Sequence, residues 1–498
     1  MKVLIIRPPQ TDFENIGPIR VGLPIGALSV AASMEQKGHE VKFFDSLIYN
    51  DKNNDNKKHY GASWERIKGC VRDFNPDIVG ITNLSSVQLE NTLMLPKLVK
   101  EINPNIKVIV GGVHATVRPL DFLNSGYADL VIIGEGEKSG QDIVDYCDGK
   151  KTLDEVKGVV YLKDGKLKTN PIEYIQDLDS LPIPAYHLAD MEKYFELAAK
   201  GYGPRQNEHF NRPKRQVSMI TSRGCPYICT FCSIHPTMGY KFRTQSPEYV
   251  VSHIKHLIKK YNVGHISFED DNLTLDVRRF EAILDLVEKE NLYFEWDTPN
   301  GVRADTLSRE LLMKIKKSNV ANLRVAIESG VQEVLNTIVK KDLDLNKVMQ
   351  VSKDCYELDI PLSTFYIIGF PGETKKDIEK TLDLAQSLMK NYNTFPILGV
   401  WVPLVGTPLY NLAKQKGYLI NDDYTTGFIL GGSRVKTEEF GPEDLKSYTT
   451  GFYKRIRHLY VINMLKKPKI LLKSIVNLIS YPGNAINLLK LSKKYSHS

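Results

Sequence analysis

Five short runs of branched apolar residues punctuate the first part of the chain: KVLIIR (2–7), EVKFFD (40–45), DIVGIT (77–82), KVIVGG (107–112) and DLVIIG (129–134). Between them lie segments such as GALSVAASMEQKGH, with apolar residues at helical spacing and a Gly-His stop. Short apolar strands separated by helices bury both faces as a parallel sheet with helices on each side. The pattern predicts an α/β domain of flavodoxin-like or Rossmann-like type over residues 1–150. Ligands of such sheets sit beyond the carboxyl ends of the strands, which here carry RPPQ, TNLSS, GGVHAT and GEGE.

Residues 151–215 read as a connector, containing LPIPAYH and the polar, basic stretch GPRQNEHFNRPKRQ. A second alternation of longer period follows, with candidate strands VSMITS (217–222), HISFED (265–270), YFEWDT (293–298), LRVAIES (323–329), STFYIIGF (363–370) and ILGVWVP (397–403). Six strand–helix units predict a partial (β/α)6 barrel over residues 216–430, with its chemistry at the carboxyl ends of the strands. Residues 431–498 form a helical C-terminal region with a basic tail.

Composition limits the cysteine chemistry. A chain of 498 residues divides into roughly three units. Its 25% charged and 42% hydrophobic residues suit a soluble globular protein. Six cysteines in such a length, after a start (MKVLIIRPPQ) without a signal region, argue against a secreted disulfide scaffold and for a reducing cytoplasm. No apolar run reaches the roughly 18 residues of a membrane span. Cys70, Cys147 and Cys355 lie in helical contexts without partners and read as buried thiols.

The other three cysteines stand together in TSRGCPYICTFCSIHP (221–236), directly after the first strand of the second block. A structural zinc site needs four ligands, and His235 is a candidate fourth. A [4Fe–4S] cluster held by Cys225, Cys229 and Cys232 instead leaves one iron open to a substrate atom. C-x3-C-x2-C with an aromatic, Phe231, before the last cysteine resembles the signature loop of the radical-SAM superfamily. RGCPYICTFC, ISFEDDNLT, NGVRAD, VAIESG, FYIIGFPGET and VPLVGTPLY look like successive strand-end motifs of its cobalamin-dependent branch, and the first block is similar to that branch's cobalamin-binding domain.

The resemblance implies three cofactors: a [4Fe–4S] cluster on Cys225, Cys229 and Cys232, S-adenosylmethionine (SAM), and cobalamin. Tyr227 and Phe231 would pack near the cluster and adenine. Glu269, Asp270 and Asp271 would meet the amino end of SAM, Arg303 its carboxylate, and Glu328 and Ser329 the ribose. An acidic strand end is also an ordinary solvated turn, and Glu328 equally suits a structural ion pair. For cobalamin, Gly111, Gly112, Gly134 and Gly136 are the close-approach positions, Thr82, Ser85, Thr116 and Glu135 would hydrogen-bond its amides, and His114 is either a more distant donor or structural. The first loop, RPPQTDFENIGPIRVGLPIG, departs from the D-x-H-x-x-G pattern of domains that supply histidine to cobalt. That departure implies cobalt without a protein ligand, and equally permits a domain that has lost cobalamin.

The activity implied is methylation of an unactivated carbon: a 5′-deoxyadenosyl radical abstracts hydrogen, and methylcobalamin delivers the methyl group. The alternatives are radical rearrangement, cyclisation or carbon–carbon coupling without methyl transfer, and a non-enzymatic zinc-knuckle binding protein. A reductant such as flavodoxin or ferredoxin is the expected partner.

From Lys454 to Ser498 the chain carries ten basic residues and no acid, whereas the whole chain has a net charge of +7. The rest is therefore net acidic. Lysines alternating with Ile, Leu, Val and Tyr suit a membrane interface, giving peripheral contact with the inner face of the membrane and a lipid or isoprenoid substrate. Solvated helices packed on the barrel suit the same pattern. Nucleic acid is not expected, because aliphatic rather than stacking aromatic residues interleave the charges.

Overall fold

The computed structural model describes residues 1–11, 20–51, 59–200, 202–203, 215–420 and 433–466. All five predicted strands of the first block are present, as Lys2–Arg7, Glu40–Asp45, Ile78–Thr82, Lys107–Gly111 and Leu130–Ile132. They pair in parallel with Glu40–Asp45 at one edge, then Lys2–Arg7, Ile78–Thr82, Lys107–Gly111 and Leu130–Ile132. This is the flavodoxin-like order, whose direction reverses beside the first strand and opens a crevice at the carboxyl ends. The strands run as near-continuous buried apolar residues: Val3, Leu4, Ile6, Val79, Val108, Val110 and Val131 are fully enclosed. Helices cover both faces, which is what such strands require.

Residues read as a connector extend this sheet. Val159–Lys163 pairs antiparallel with Leu130–Ile132, and Lys166–Thr169 pairs antiparallel with it in turn. The turn between them is Asp164-Gly165, both with positive φ (51° and 71°), the left-handed pair that tight hairpins favour.

The second sheet has six parallel strands in sequential order: Gln216–Met219, His265–Phe268, Glu295–Asp297, Val320–Glu328, Leu362–Ile368 and Phe395–Val400. Its two edges do not pair with one another, so the barrel is open, as the count of six predicts. Helices return the chain between strands, and the five longest of them start on a side-chain cap: Ser246, Asp276, Ser308, Asp344 and Thr374. Thr374 and Asp377 form a reciprocal capping box at the head of Lys375–Tyr392, and Asn393 in the left-handed region ends it. Side chains on one face of the first four strands are polar. Asp297, wholly buried, accepts from Ser267 Oγ (2.6 Å) and Arg324 Nη1 (2.7 Å) and lies 3.1 Å from His265 Nε2. Buried charge persists only when paired in this way. The opposite face carries the apolar core, including Ile266, Trp296, Val325 and Ile327.

The long helix Pro442–Lys466 packs across the last strand, burying Phe452, Ile456 and Leu459. Tyr453 Oη accepts from the Leu398 amide at 3.1 Å, occupying a donor on that edge strand. The basic tail beyond residue 466 lies outside the described residues. Among the described residues no helix is long and apolar enough to cross a membrane.

Candidate active site

The three cysteines occupy one loop, 224–242, whose base is closed by antiparallel pairing of Ser222 with Thr244 and Arg223 with Arg243. Gly224 opens the loop at φ 79°, where a Cβ would stand 2.4 Å from the Lys241 carbonyl, so no other residue fits. Farther along, Thr230 donates through its amide to Val339 O (3.0 Å) and through its hydroxyl to Ile338 O (2.6 Å), stapling the loop to the barrel. Phe231 packs against Phe370, with ring centroids 5.6 Å apart. Burial raises the pKa of all three thiols, that of Cys232 to about 12. Thiolates at such positions need a cation beside them, which iron supplies.

No group of three His, Cys, Asp or Glu among the described residues is close enough to hold a single metal ion. A four-iron cluster instead takes each thiolate to a different iron, so the donor set fits a cluster. His235, the candidate fourth zinc ligand, lies with Nε2 3.2 Å from Cys225 O and stacks on Tyr240 at 4.1 Å. Of the remaining cysteines, Cys70 and Cys355 are buried as expected, Cys147 is only half-buried, and burial raises the pKa of all three.

Around the loop stand the strand ends. Glu269 accepts from Ser218 Oγ at 2.5 Å, and burial raises its pKa. Asp270 Oδ1 accepts from the Thr221 amide (3.1 Å), Thr221 Oγ1 (2.8 Å) and Ser222 Oγ (2.5 Å), while its buried Oδ2 has no partner. Asp270 thus braces the strand entering the loop. Asp271 is raised to about 7, by burial first and then by the charge of Asp270. Arg303 stacks over Tyr227 at 3.8 Å, and its fork is held by Asp305 (2.6 Å), Lys341 O (2.7 Å) and Asp342 O (2.8 Å). Glu328, at φ 74° beside a register shift in its strand, forms a buried pair with Lys341 at 2.8 Å. A non-glycine residue in that region is uncommon and marks a strained strand end. Ser329 Oγ lies 3.2 Å from Thr381 Oγ1. Asp305, Lys341 and Thr381 belong to this site and had no motif to announce them.

The carboxyl ends of the first sheet offer a different surface. Leu84 and Val113 expose 38% and 40% of their area there, flanked by half-buried Thr82, Ser85, Gly111 and Thr116. Asn83 is buried with Oδ1 unpartnered. An apolar platform edged by hydroxyls and an unsatisfied amide oxygen fits a flat macrocycle with amide arms. Gly112, at φ 113°, would bring a Cβ to 2.2 Å from Asn83 O, so the neighbouring strand end demands glycine. Gly134 is likewise crowded by Ile172 and Gly136 by Val30, whereas Gly111 has no atom within 3.4 Å of its Cβ position. Thr116 Oγ1 donates to Gly112 O (2.9 Å) and accepts from the Gly134 amide (3.0 Å). His114 is fully enclosed between Ser86 Oγ (2.8 Å) and Asp121 (3.0 Å), and burial lowers its pKa. It braces its own helix, the structural role. The first loop, 12–19, lies outside the described residues.

The two surfaces meet. Helix Val113–Val117 packs against helix Ile234–Met238, which follows Cys232 directly. Gly406, beyond the last barrel strand, fits against Val117 of the first domain and Pro236, at 3.1 and 3.8 Å from its Cβ position. Glu135, expected at the corrin amides, turns to Arg223 (3.0 Å), Arg243 (2.8 Å) and the Ile175 amide (2.7 Å).

An open barrel with a three-thiol loop, seated on the ligand-binding edge of a flavodoxin-like sheet, is the architecture of a radical enzyme that works with two metal cofactors. Comparison with known proteins agrees. The B12 binding domain model matches residues 20–144, and the radical SAM superfamily model matches residues 219–385. Cytidylyl-2-hydroxyethylphosphonate methyltransferase from Streptomyces wedmorensis is 30% identical over 452 residues, covering 84% of this chain and 82% of that protein. Anaerobic magnesium-protoporphyrin IX monomethyl ester cyclase from Rubrivivax gelatinosus is 26% identical, over 84% of this chain and 70% of its own. The cobalamin-dependent SAM radical enzyme OxsB shares the fold, with a TM-score of 0.71 at 17% identity over 91% of this chain and 67% of that one. The chain belongs to the cobalamin-dependent radical-SAM enzymes, whose cofactors are a [4Fe–4S] cluster, SAM and cobalamin.

Proposed function

We propose that this enzyme methylates an unactivated carbon of a small-molecule substrate. The observation carrying the reading is the seating of the cysteine loop against the strand ends of the B12-binding domain, which brings both cofactor sites to one seam. Bound there, the cofactors supply a carbon radical and a methyl donor. Cys225, Cys229 and Cys232 hold the cluster. Tyr227 and Phe231, with Glu269, Asp270, Asp271, Arg303, Glu328 and Ser329, form the wall against which SAM lies. Asp271, whose charge reaches Cys225 and Cys232, is the carboxyl suited to the SAM amino group. Thr82, Ser85, Gly111 and Thr116 edge the corrin platform, with Gly112, His114, Gly134, Glu135 and Gly136 shaping it from behind. Phe365, Ile367 and Ile397, half-buried on one face of the last two strands, exclude water and take the apolar part of the substrate.

The test is the cofactor content and product mass of the anaerobically reconstituted chain. About four irons and one cobalt per chain, and a product heavier by one CH2, are expected. Replacing any one of Cys225, Cys229 or Cys232 by Ala is expected to cost most of the iron and all deoxyadenosine formation. A product without added mass would favour cyclisation or coupling, the chemistry named for the Rubrivivax relative.

A lipid or isoprenoid substrate, reached through peripheral membrane contact, is the finer reading, supported by the basic, apolar composition of residues 467–498. Residues 454–466 continue a helix that packs on the barrel, so the informative comparison is the full chain against one ending at Lys466. Co-sedimentation of the full chain alone with anionic liposomes is expected, and equal partitioning would remove the argument.

A further inference from the structure

The base of the cysteine loop is tied to the B12-binding domain by four buried charges. Arg223 and Arg243 face one another across the two-residue pairing that closes the loop. Opposite them, Glu135 and Glu137 stand at the start of helix Gly136–Cys147. Arg223 spans both carboxylates, through Nη1 to Glu135 (3.0 Å) and Nη2 to Glu137 (2.6 Å). Arg243 Nη1 meets both oxygens of Glu135 (2.8 and 2.9 Å) and Ile175 O (2.7 Å), and its Nη2 reaches Met238 O (2.8 Å) inside the loop. Ser29 Oγ completes Glu137 at 2.8 Å. Glu135, Glu137 and Arg243 are each at most 6% exposed.

Two acids and two bases cancel, yet buried ion pairs add little stability over apolar packing of the same volume. Their best-attested gain is registry, since any slip leaves a charge unpaired in a dry interface. Here the register matters chemically. Arg223 lies two residues before Cys225, a reach of at most about 7 Å of chain. Gly224 between them has no room to relax, with the Lys241 carbonyl 2.4 Å from its Cβ position.

We infer that Arg223, Arg243, Glu135 and Glu137 form an interdomain clamp that fixes the cluster-bearing loop against the cobalamin platform, and so sets the separation of the two cofactors. They are positioning residues, and the inference rests on the two-cofactor reading above. The holoenzyme, reconstituted with iron, sulfide and hydroxocobalamin, tests it in the variants Glu137→Gln, Arg223→Met and Arg223→Lys. Reduced samples report the spin–spin splitting of the cob(II)alamin signal by the cluster, which depends on their separation. Hydrogen exchange over residues 224–242 reports how firmly the loop is held.

With iron and cobalt retained, Glu137→Gln and Arg223→Met are expected to broaden or lose the splitting and to speed exchange in the loop. Methylated product per deoxyadenosine should then fall, on the order of a hundredfold for a displacement near 1 Å. Arg223→Lys, which keeps the charge without the fork, should recover part of the splitting. Unchanged splitting and exchange in cofactor-loaded variants would overturn the clamp. Should Arg223→Met fail to fold, the near-isosteric Glu137→Gln decides alone. Iron without cobalt in the wild type would overturn the two-cofactor reading and the separation argument. Loop exchange would still decide the docking role, faster in Glu137→Gln if the clamp exists and equal if it does not.

Discussion

Glu373 concentrates in one carboxyl the tension between burial and function in this barrel. Its Oε2 accepts the Gly369 and Phe370 amides (2.7 and 3.1 Å), while the buried Oε1 has no partner. Burial raises its pKa from 4.5 to about 8. A carboxyl with a raised folded pKa binds its proton more tightly when folded, so its contribution is complete below about 4.5 and is lost as pH rises toward about 8. Glu373→Gln, which resembles the protonated acid, should flatten that decline. Denaturant midpoints at pH 6 and 8 should differ less in the variant than in the wild type. In the buried Glu328–Lys341 pair, by contrast, Lys341 Nζ donates to Glu328 Oε1 at 2.8 Å. Lys341→Met would strand a carboxylate that is 6% exposed and cost about 3–5 kcal/mol by chemical denaturation. The cysteines were legible because their spacing is local. Lys341 and Arg223 were not, because their carboxylate partners lie 13 and 86 to 88 residues away, beyond any local spacing.

At the scale of elements, all eleven apolar runs read from the sequence became strands, since a strand buried on both faces announces itself by composition alone. The hairpin Val159–Lys163/Lys166–Thr169 carries Asp164-Gly165 as its one turn signal. Its second strand is wholly exposed and strongly polar, so the hydrophobic signal was missing. Caps carry measurable weight. Thr374→Ala should remove the capping box of Lys375–Tyr392 at a cost of about 1 kcal/mol. Tyr453→Phe should uncover the Leu398 amide on the edge strand at a similar cost of about 1 kcal/mol. Urea titrations of each variant resolve effects of that size.

The seam between domains governs the molecule as a whole, and sequence periodicity says nothing about it. GEGE was read as ligand-facing because it ends a strand, yet Glu135 and Glu137 face the other domain. Gly406 sits on that seam, its Cβ position 3.1 Å from Val117. Gly406→Val combines an unfavourable φ of 89° with collision against Val117 and should destabilise docking by roughly 1–3 kcal/mol. Calorimetry should then resolve two transitions where the wild type gives one broad envelope.

The clamp also implies an order of assembly. Its carboxylates precede Arg223 by 86 to 88 residues, so during synthesis the first sheet folds before the loop emerges. The arginines therefore close the base of the loop onto a finished template. A chain begun after residue 137 would carry the cysteines without the carboxylates that hold their loop, whereas the whole chain presents them already aligned for cluster insertion.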